Sequence, residues 1–130
     1  MQPVGWQTAV ETRRERRAVA IDLILVSRCA EFTEVQAGVG GAQGIDISFS
    51  FDLGPSVVER CTVTGGMEGI VTHFARALVR DNRVSETTLR GITLTEMSMA
   101  DVEGNQVEDA LGVGIFCGDY SVCRIEENSV

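Results

Sequence analysis

The chain has 130 residues, 44% of them hydrophobic, and its formal net charge at pH 7 is −8. Its length is that of one domain, and no apolar run reaches the roughly 18 residues of a membrane-spanning helix. The negative charge disfavours nucleic acid, anionic membranes and polyanionic sugars as partners, because binding them requires clustered cations. We therefore expect a single domain that binds neither nucleic acid nor a membrane.

The first segment of the chain differs in pattern from the rest. Thr8 and Glu11 have the spacing of a helix capping box, and the basic run from Arg13 to Arg17 follows them. We predict a short N-terminal capping helix over residues 8–17, which with Trp6 covers the open strand edges of the first coil. The alternative is that the basic run is a recognition patch.

From residue 20 onward the sequence repeats with a period of about two dozen residues. Four Gly-Ile pairs recur at intervals of 25, 22 and 23 residues: Gly44-Ile45, Gly69-Ile70, Gly91-Ile92 and Gly114-Ile115. Apolar and polar residues alternate within each repeat, as in a strand with one buried face. We predict about five parallel coils stacked roughly 4.8 Å apart. The predicted domain is 1–130, with a cap over 1–19 and coils over 20–130.

Aligning the repeats brings aliphatic residues into columns that are expected to face the core. One column is Ile21, Ile45, Ile70, Ile92 and Ile115. A second column is Ala30, Val58, Val79, Val102 and Ile125. A third column is Val35, Val63, Val84, Val107 and Val130. A single coil cannot bury its own inner face, so the columns require stacking.

Asn82, Asn105 and Asn128 lie 23 residues apart, each in the frame small-x-aliphatic-x-x-Asn-x-Val. Asparagine tolerates the left-handed backbone of a bend, and its amide can bond the equivalent asparagine in the next coil. The three residues are therefore predicted to form a structural ladder. In the two earlier coils, Thr33 and Cys61 occupy the position that these asparagines hold.

The Gly-Ile opening and the asparagine frame together resemble the right-handed parallel β-helix family, the pectate-lyase-like superfamily. The resemblance covers residues 44–130 well and 20–43 more loosely. It implies an all-β fold, a short right-handed parallel β-helix. It implies little about activity, because that fold carries lyases, hydrolases, epimerases, binding proteins and structural shafts.

The four cysteines, Cys29, Cys61, Cys117 and Cys123, have no metal-ligand spacing relative to each other or to His73. The last three fall at inward positions, where a free cysteine acts as a small hydrophobe. A disulfide between Cys29 and Cys61 on adjacent coils is the alternative. Reduced cysteines and the lack of a signal-peptide pattern at the start of the sequence predict a cytoplasmic location.

Charged residues beside the asparagine bend are expected to form rows along the surface. One row is Glu59, Arg80, Glu103 and Glu126, and the next is Arg60, Asp81, Gly104 and Glu127. We interpret them as cross-strand pairs that support the structure. No cofactor is predicted. Binding of a calcium ion by Glu103, Glu126 and Glu127 is an alternative, although the sequence contains no DxDxDG loop.

Candidate catalytic residues follow the Gly-Ile strands. Glu96 and Asp119 are expected on adjacent coils, with the carboxyl separation of roughly 5 Å that a retaining glycoside hydrolase uses. His73 and Arg76 lie one coil away, where they could act as general base and charge stabiliser. The simpler interpretation is two solvated acids beside a surface histidine. Pectate lyases build their sites from several Asp and long loops, and this sequence has few long loops.

The sequence therefore favours a small non-enzymatic β-helix, a binding or assembly module of unknown ligand, with neutral carbohydrate an open ligand class. The alternative is a carbohydrate-active enzyme, a polysaccharide lyase or glycoside hydrolase. Val130 completes an inward column and no further coil follows it. We therefore expect a homodimer, formed through this open coil or through a face of the β-helix. A fragment of a longer β-helix is the other explanation.

Overall fold

The structure is a computed structural model that describes residues 17–18, 21–24, 29–31, 34–37, 42–50 and 55–130, with side chains from Glu34 onward. In these residues every regular element is a β-strand, and the strands form three parallel sheets. Among them no helix is long and apolar enough to cross a membrane.

Each sheet contains five strands that are one turn apart in the chain. Sheet A contains β1 (Arg17–Ala18), β4 (Glu34–Gln36), β7 (Thr62–Thr64), β10 (Arg83–Ser85) and β13 (Gln106–Glu108). Sheet B contains β2 (Ile21–Ile24), β5 (Gln43–Ser48), β8 (Glu68–His73), β11 (Arg90–Thr95) and β14 (Val113–Cys117). Sheet C contains β3 (Cys29–Glu31), β6 (Ser56–Glu59), β9 (Arg76–Arg80), β12 (Met99–Glu103) and β15 (Val122–Glu126).

The chain winds as a parallel β-solenoid, visiting each sheet once per turn. From Thr62 to Val130 the chain completes three turns, each with one strand in every sheet. The prediction of an all-β parallel coil is confirmed. The count of five coils is not supported as complete turns, because earlier turns include residues outside the described part. The capping helix is not supported either: residues 8–16 lie outside the described residues, and Arg17 begins β1.

The predicted aliphatic columns are the core of the solenoid. Ile45, Ile70 and Ile92 pair in register, and all three are fully buried. The other two columns are in register in the same way, with Val79 pairing Val58 and Val102. Parallel pairing at equivalent positions places one aliphatic residue above the next, so the columns form a continuous apolar interior.

Left-handed backbone occurs one residue before each asparagine, so the prediction that the asparagine itself adopts this conformation is wrong. At this bend the residues with positive φ are Asp81 (56°), Gly104 (68°) and Glu127 (55°), and Arg60 (54°) holds the same position before Cys61. This bend turns the next side chain inward, so Asn82 and Asn105 are only 2% and 1% exposed. Their amides therefore need partners inside the protein.

The asparagine side chains supply those partners to one another. Asn82 Nδ2 donates to Asn105 Oδ1 at 2.9 Å, and Asn105 Nδ2 donates to Asn128 Oδ1 at 2.9 Å. Asn82 Oδ1 accepts from the backbone N–H of Cys61 at 2.9 Å, one coil earlier. The remaining side-chain N–H bonds go to backbone carbonyls such as Val79 O, 2.9 Å from Asn105 Nδ2. The ladder thus satisfies polar groups that burial would otherwise leave unpaired.

A disulfide joins Cys117, at the end of β14, to Cys123 in β15. The prediction of reduced cysteines is therefore wrong for this pair, because the bend between the two strands brings their Cα atoms to 6.5 Å. Cys61 is buried, and its Sγ donates to the Glu59 carbonyl at 3.4 Å. The side chain of Cys29 lies outside the described residues.

Removing this disulfide is expected to lower the free energy of unfolding by about 2 kcal/mol, the chain-entropy contribution of so short a loop. Replacing both Cys117 and Cys123 by serine and comparing urea midpoints with the oxidised parent tests this. Reductant should shift the parent midpoint and leave the double variant unchanged. Equal midpoints for the oxidised parent and the double variant would contradict the expectation.

Candidate functional site

A cleft of about 300 Å³ lies on the outer face of sheet C. It crosses β9, β12 and β15, so three successive turns of the solenoid contribute to it. The outward side chains that line it are Arg76, Leu78, Met99, Asp101, Val122 and Arg124. The cleft is thus a property of the stacked wall and not of a long loop.

Strand register arranges these side chains in two rows. Met99 pairs with Arg76 on one side and Val122 on the other. Asp101 likewise lies between Leu78 and Arg124. The alternating inward positions of the same strands hold Ala77, Ala100 and Cys123. Because period-two alternation fixes which residues point outward, the wall presents apolar and charged groups side by side.

Cations and an acid surround the apolar part of the cleft. Met99 and Val122 are 46% and 63% exposed, which leaves apolar surface open to a ligand. Arg124 donates to Glu126 at 2.9 Å, and this hydrogen bond, with the Glu126 charge, raises the pKa of Arg124. Arg76 forms no ion pair with the residues described. The cleft therefore offers donors from two arginines and acceptors from Asp101.

A second polar cluster lies where sheet B ends. His73, the last residue of β8, has Nδ1 2.9 Å from Glu96 Oε2. Its Nε2 is 3.8 Å from Asp46 Oδ1, and Ser48 Oγ donates to the same Asp46 oxygen at 2.5 Å. Glu96 follows β11 with a φ of 55°, a bend that directs its carboxylate back along the stack. A carboxylate thus lies on each side of the imidazole, and the one of Glu96 is within hydrogen-bond distance.

The four candidate catalytic residues do not share one cleft. His73 and Glu96 are in contact, whereas the Asp119 carboxylate accepts a hydrogen bond from the Thr95 hydroxyl. Arg76 lies beyond the bend and lines the cleft on sheet C. The structure thus brings His73 and Glu96 together and assigns Arg76 to a different surface.

The charged row beside the asparagine bend is a set of surface pairs. Arg80 Nε donates to Glu59 Oε2 at 2.8 Å, and this hydrogen bond raises the pKa of Arg80. Glu103 and Glu126 continue the row in register. Pairs this exposed contribute little to stability. In the described part of the chain, no group of three or more His, Cys, Asp or Glu side chains could hold a metal ion.

The sequence did not point to most of the cleft. It named Arg76 but not Leu78, Met99, Asp101 or Arg124. The column alignment contained the missing information, since every residue between two inward positions of the asparagine frame must face outward. Reading those outward positions across three repeats would have assembled both rows.

A parallel solenoid with aligned aliphatic columns and an internal asparagine ladder defines a β-helix protein. In this class the fold supplies a scaffold, and function lies in the side chains of its surface.

Residues 8–130 match the family model described as "Periplasmic copper-binding protein (NosD)", and the chain belongs to this family. The resemblance to β-helix proteins is thereby confirmed, although the match does not name the pectate-lyase-like superfamily. No individual curated protein and no solved structure gives a significant match.

The family assignment corrects the predicted location. The family is described as periplasmic, so the expectation of a cytoplasmic protein is wrong. The disulfide between Cys117 and Cys123 agrees with the correction, because structural disulfides persist in oxidising compartments such as the periplasm. The lack of a signal-peptide pattern was therefore a poor guide to location.

The description of the family raises the question of copper. Copper sites in proteins use imidazole, thiolate and thioether ligands. Here Nδ1 of His73 contacts Glu96, and Cys117 and Cys123 are oxidised to a disulfide. The residues described bring no group of three His, Cys, Asp or Glu side chains together as a metal site. The described His, Cys, Asp and Glu side chains therefore do not form a copper centre.

Proposed function

We propose that this chain is a non-enzymatic binding module of the periplasm whose ligand surface is the cleft on sheet C. The observation that supports this most directly is the cleft itself, about 300 Å³ in volume and crossing three consecutive turns. Pockets that take small ligands combine apolar surface with a few directed polar groups. The cleft has this composition.

We propose a neutral oligosaccharide as the ligand class. Met99 and Val122 provide exposed apolar surface against which the C–H faces of a sugar ring can pack. The side chains of Arg76, Asp101 and Arg124 provide donors and acceptors for hydroxyl groups. The net charge of −8 argues against anionic sugars. The spacing of successive coils, roughly 4.8 Å, is comparable to the length of a sugar ring.

The proposed module works without a resident metal ion. No step of the proposed recognition requires copper, and the described residues do not fit a copper centre. Of the carboxylates considered for calcium, Glu103 stacks in register beside the cation of Arg80, and Glu126 accepts a hydrogen bond from Arg124. A structural role for that row explains them.

We further propose that residues 1–130 form one domain whose stack extends over five coils. Five strands in each sheet support the count. The Gly-Ile and asparagine frames support a place within the wider pectate-lyase-like superfamily. A shared scaffold of this kind carries no activity with it.

A substitution in the cleft tests the binding proposal. Met99→Glu places a carboxylate on the apolar surface of the cleft, beside Asp101, and is expected to weaken oligosaccharide binding at least about tenfold. Isothermal titration calorimetry with neutral oligosaccharides selected on a glycan array measures this.

Met97→Glu is the matched control. Met97 is also exposed, at 55%, but it lies on the bend before β12 and outside the cleft. Its variant should bind within about twofold of the parent. Equal losses for the two variants, or no binding of any neutral oligosaccharide by the parent, would contradict the proposal.

A second candidate function is a carbohydrate-active enzyme. The contact of 2.9 Å between His73 and Glu96 favours it, since a carboxylate that orients an imidazole is a common acid–base arrangement. Incubation with polysaccharides, followed by assays for reducing ends and unsaturated products, distinguishes the two functions. If the parent turns over a polysaccharide and the His73→Ala variant does not, the protein is an enzyme and the binding-module proposal is wrong.

A further inference from the structure

The middle of the cleft on sheet C is formed by β9 and β12, two strands that have a described strand on each side. β9 lies between β6 and β12, and β12 lies between β9 and β15. Arg76 and Leu78 are the outward residues that β9 contributes to the cleft, and Met99 and Asp101 are those of β12. Neighbouring turns of the solenoid therefore fix these four positions from both sides.

Strand register places unlike groups next to each other in this set. Met99 pairs with Arg76, and Asp101 pairs with Leu78. The cation and the acid are therefore diagonal neighbours, and the two apolar side chains occupy the other diagonal. Because strands are about 4.8 Å apart and each residue of a strand rises about 3.3 Å, the two charged positions are separated by roughly 8 Å.

The two charged groups on this diagonal have no partner among the residues described. Arg76 and Asp101 are exposed, and within the described part of the chain neither side chain has a hydrogen bond or an ion pair. Arg124, the other cation of the cleft, instead donates to Glu126 at 2.9 Å. A guanidinium group only donates hydrogen bonds, and an ionised carboxylate only accepts them. The middle of the cleft thus presents a donor group and an acceptor group with apolar side chains between them.

A secondary amide matches this pattern. Its N–H donates and its carbonyl oxygen accepts, and the two point in opposite directions because the amide is planar and trans. With a hydrogen bond of about 2.9 Å at each end, the amide bridges a donor and an acceptor roughly 8 Å apart. A single hydroxyl group reaches only one of the two side chains, so an unsubstituted sugar needs two hydroxyl groups in fixed positions.

We propose that the cleft selects N-acetylated amino sugars among neutral oligosaccharides, an inference that rests on the proposed function. The acetamido group of such a sugar donates its N–H to Asp101 and accepts at its carbonyl oxygen from Arg76. Its methyl group packs against Leu78 and Met99, the second of which is 46% exposed. Acetylation also removes the charge of the amine, so the sugar stays within the neutral class.

The apolar positions favour a sugar over a peptide, which carries the same amide. An extended peptide presents an amide about every 3.3 Å, and the apolar side chains beside the charged diagonal would desolvate the further amides without pairing them. An N-acetylated sugar ring carries one amide and otherwise presents hydroxyl groups and C–H faces. One charged diagonal is therefore sufficient for one ring.

Calorimetric titration with two trisaccharides tests the inference. N,N′,N″-triacetylchitotriose and cellotriose have the same ring linkage and differ where one carries acetamido groups and the other hydroxyl groups. The acetylated trimer should bind at least about tenfold more tightly, because its amide bonds to two charged groups. Equal affinities, or no binding of the acetylated trimer, would overturn the inference. The proposed function itself is wrong only if no neutral oligosaccharide binds.

Substitutions of the charged diagonal locate the preference. Asp101→Ala and Arg76→Met should each bring the ratio of the two affinities below about threefold, since each removes one partner of the amide. Arg80→Met is the matched control: Arg80 is an outward cation of the same strand β9, but its Nε donates to Glu59 and it lies outside the cleft. Its variant should keep the ratio within about twofold of the parent.

A blocked alanine tripeptide separates recognition of a sugar from recognition of any amide. It carries secondary amides and no sugar ring, so it should not displace the acetylated trimer at equal concentration. Displacement by the tripeptide would overturn the assignment to an amino sugar. An unchanged affinity ratio in both the Asp101 and the Arg76 variants would overturn the assignment to these residues.

Discussion

Replacing Asn105 by alanine is expected to lower the free energy of unfolding by about 3–5 kcal/mol. Asn105 is 1% exposed; its Oδ1 accepts two hydrogen bonds from Asn82, and its Nδ2 donates to Asn128 and to the carbonyl of Val79. Alanine removes all four bonds and leaves the backbone N–H of Asn82 buried without a partner. Urea unfolding followed by circular dichroism measures the loss.

Gln106→Ala is the control for the ladder. Gln106 adjoins Asn105 but is exposed, so its variant should unfold within about 0.5 kcal/mol of the parent. A loss below about 1 kcal/mol for Asn105→Ala would show that water or a local shift replaces the bonds of the ladder. The ladder would then be a consequence of the stack and not a cause of its stability.

Replacing Gly91 by alanine is expected to lower the free energy of unfolding by about 3 kcal/mol, at the upper end of overpacking costs. A Cβ at this position would lie 2.7 Å from the carbonyl oxygen of Gly114 and closer still to the side chain of Val107. Neither atom can move away, because one belongs to the backbone of a paired strand and the other to the core. Thermal and urea unfolding of the variant measure the effect.

Gly118→Ala is the matched control. A Cβ at Gly118 would meet the ring of Phe116 at 2.6 Å, and that ring is partly exposed and lies beneath Arg90. Because a surface ring can shift, the cost should stay below about 1 kcal/mol. Similar costs for the two variants would mean that glycine is required for a reason other than the close approach of neighbouring coils.

In three successive coils, the glycine of the Gly-Ile pair is required by the same close approach of the neighbouring coil. A Cβ on Gly44, Gly69 or Gly91 would meet a valine of the third column and the carbonyl of the next glycine in the stack. The isoleucine that follows then begins the buried column of sheet B. The repeat was therefore readable because each pair marks a place where neighbouring coils come into contact.

The aliphatic columns and the partners of the ladder could be predicted because parallel stacking pairs equivalent residues. Residues 23 apart in sequence, such as Asn82 and Asn105, become direct neighbours, and sequence spacing alone assigns the contact. The backbone conformation of the bend was harder to predict, because the left-handed residue beside Asn82 is Asp81 and not a glycine. The capping helix was inferred from local propensity alone, over residues 8–17 that lie almost entirely outside the described residues.

The candidate site was predicted less well than the fold. Contact between His73 and Glu96 depends on the bend at Glu96, whose φ no repeat frame specified. The disulfide between Cys117 and Cys123 depends in the same way on a bend between two sheets. The cleft on sheet C is a collective property of three strands, so a search for individual catalytic residue types does not find it.

Chemical-shift mapping by ¹H–¹⁵N correlation NMR, during titration with a neutral oligosaccharide that the glycan array selects, tests the central claim most directly. If the wall of sheet C is the binding surface, the largest shifts should fall on outward residues of β9, β12 and β15, including Met99, Asp101 and Arg124. Shifts centred on His73 and Glu96, or the absence of any specific shifts, would contradict this account.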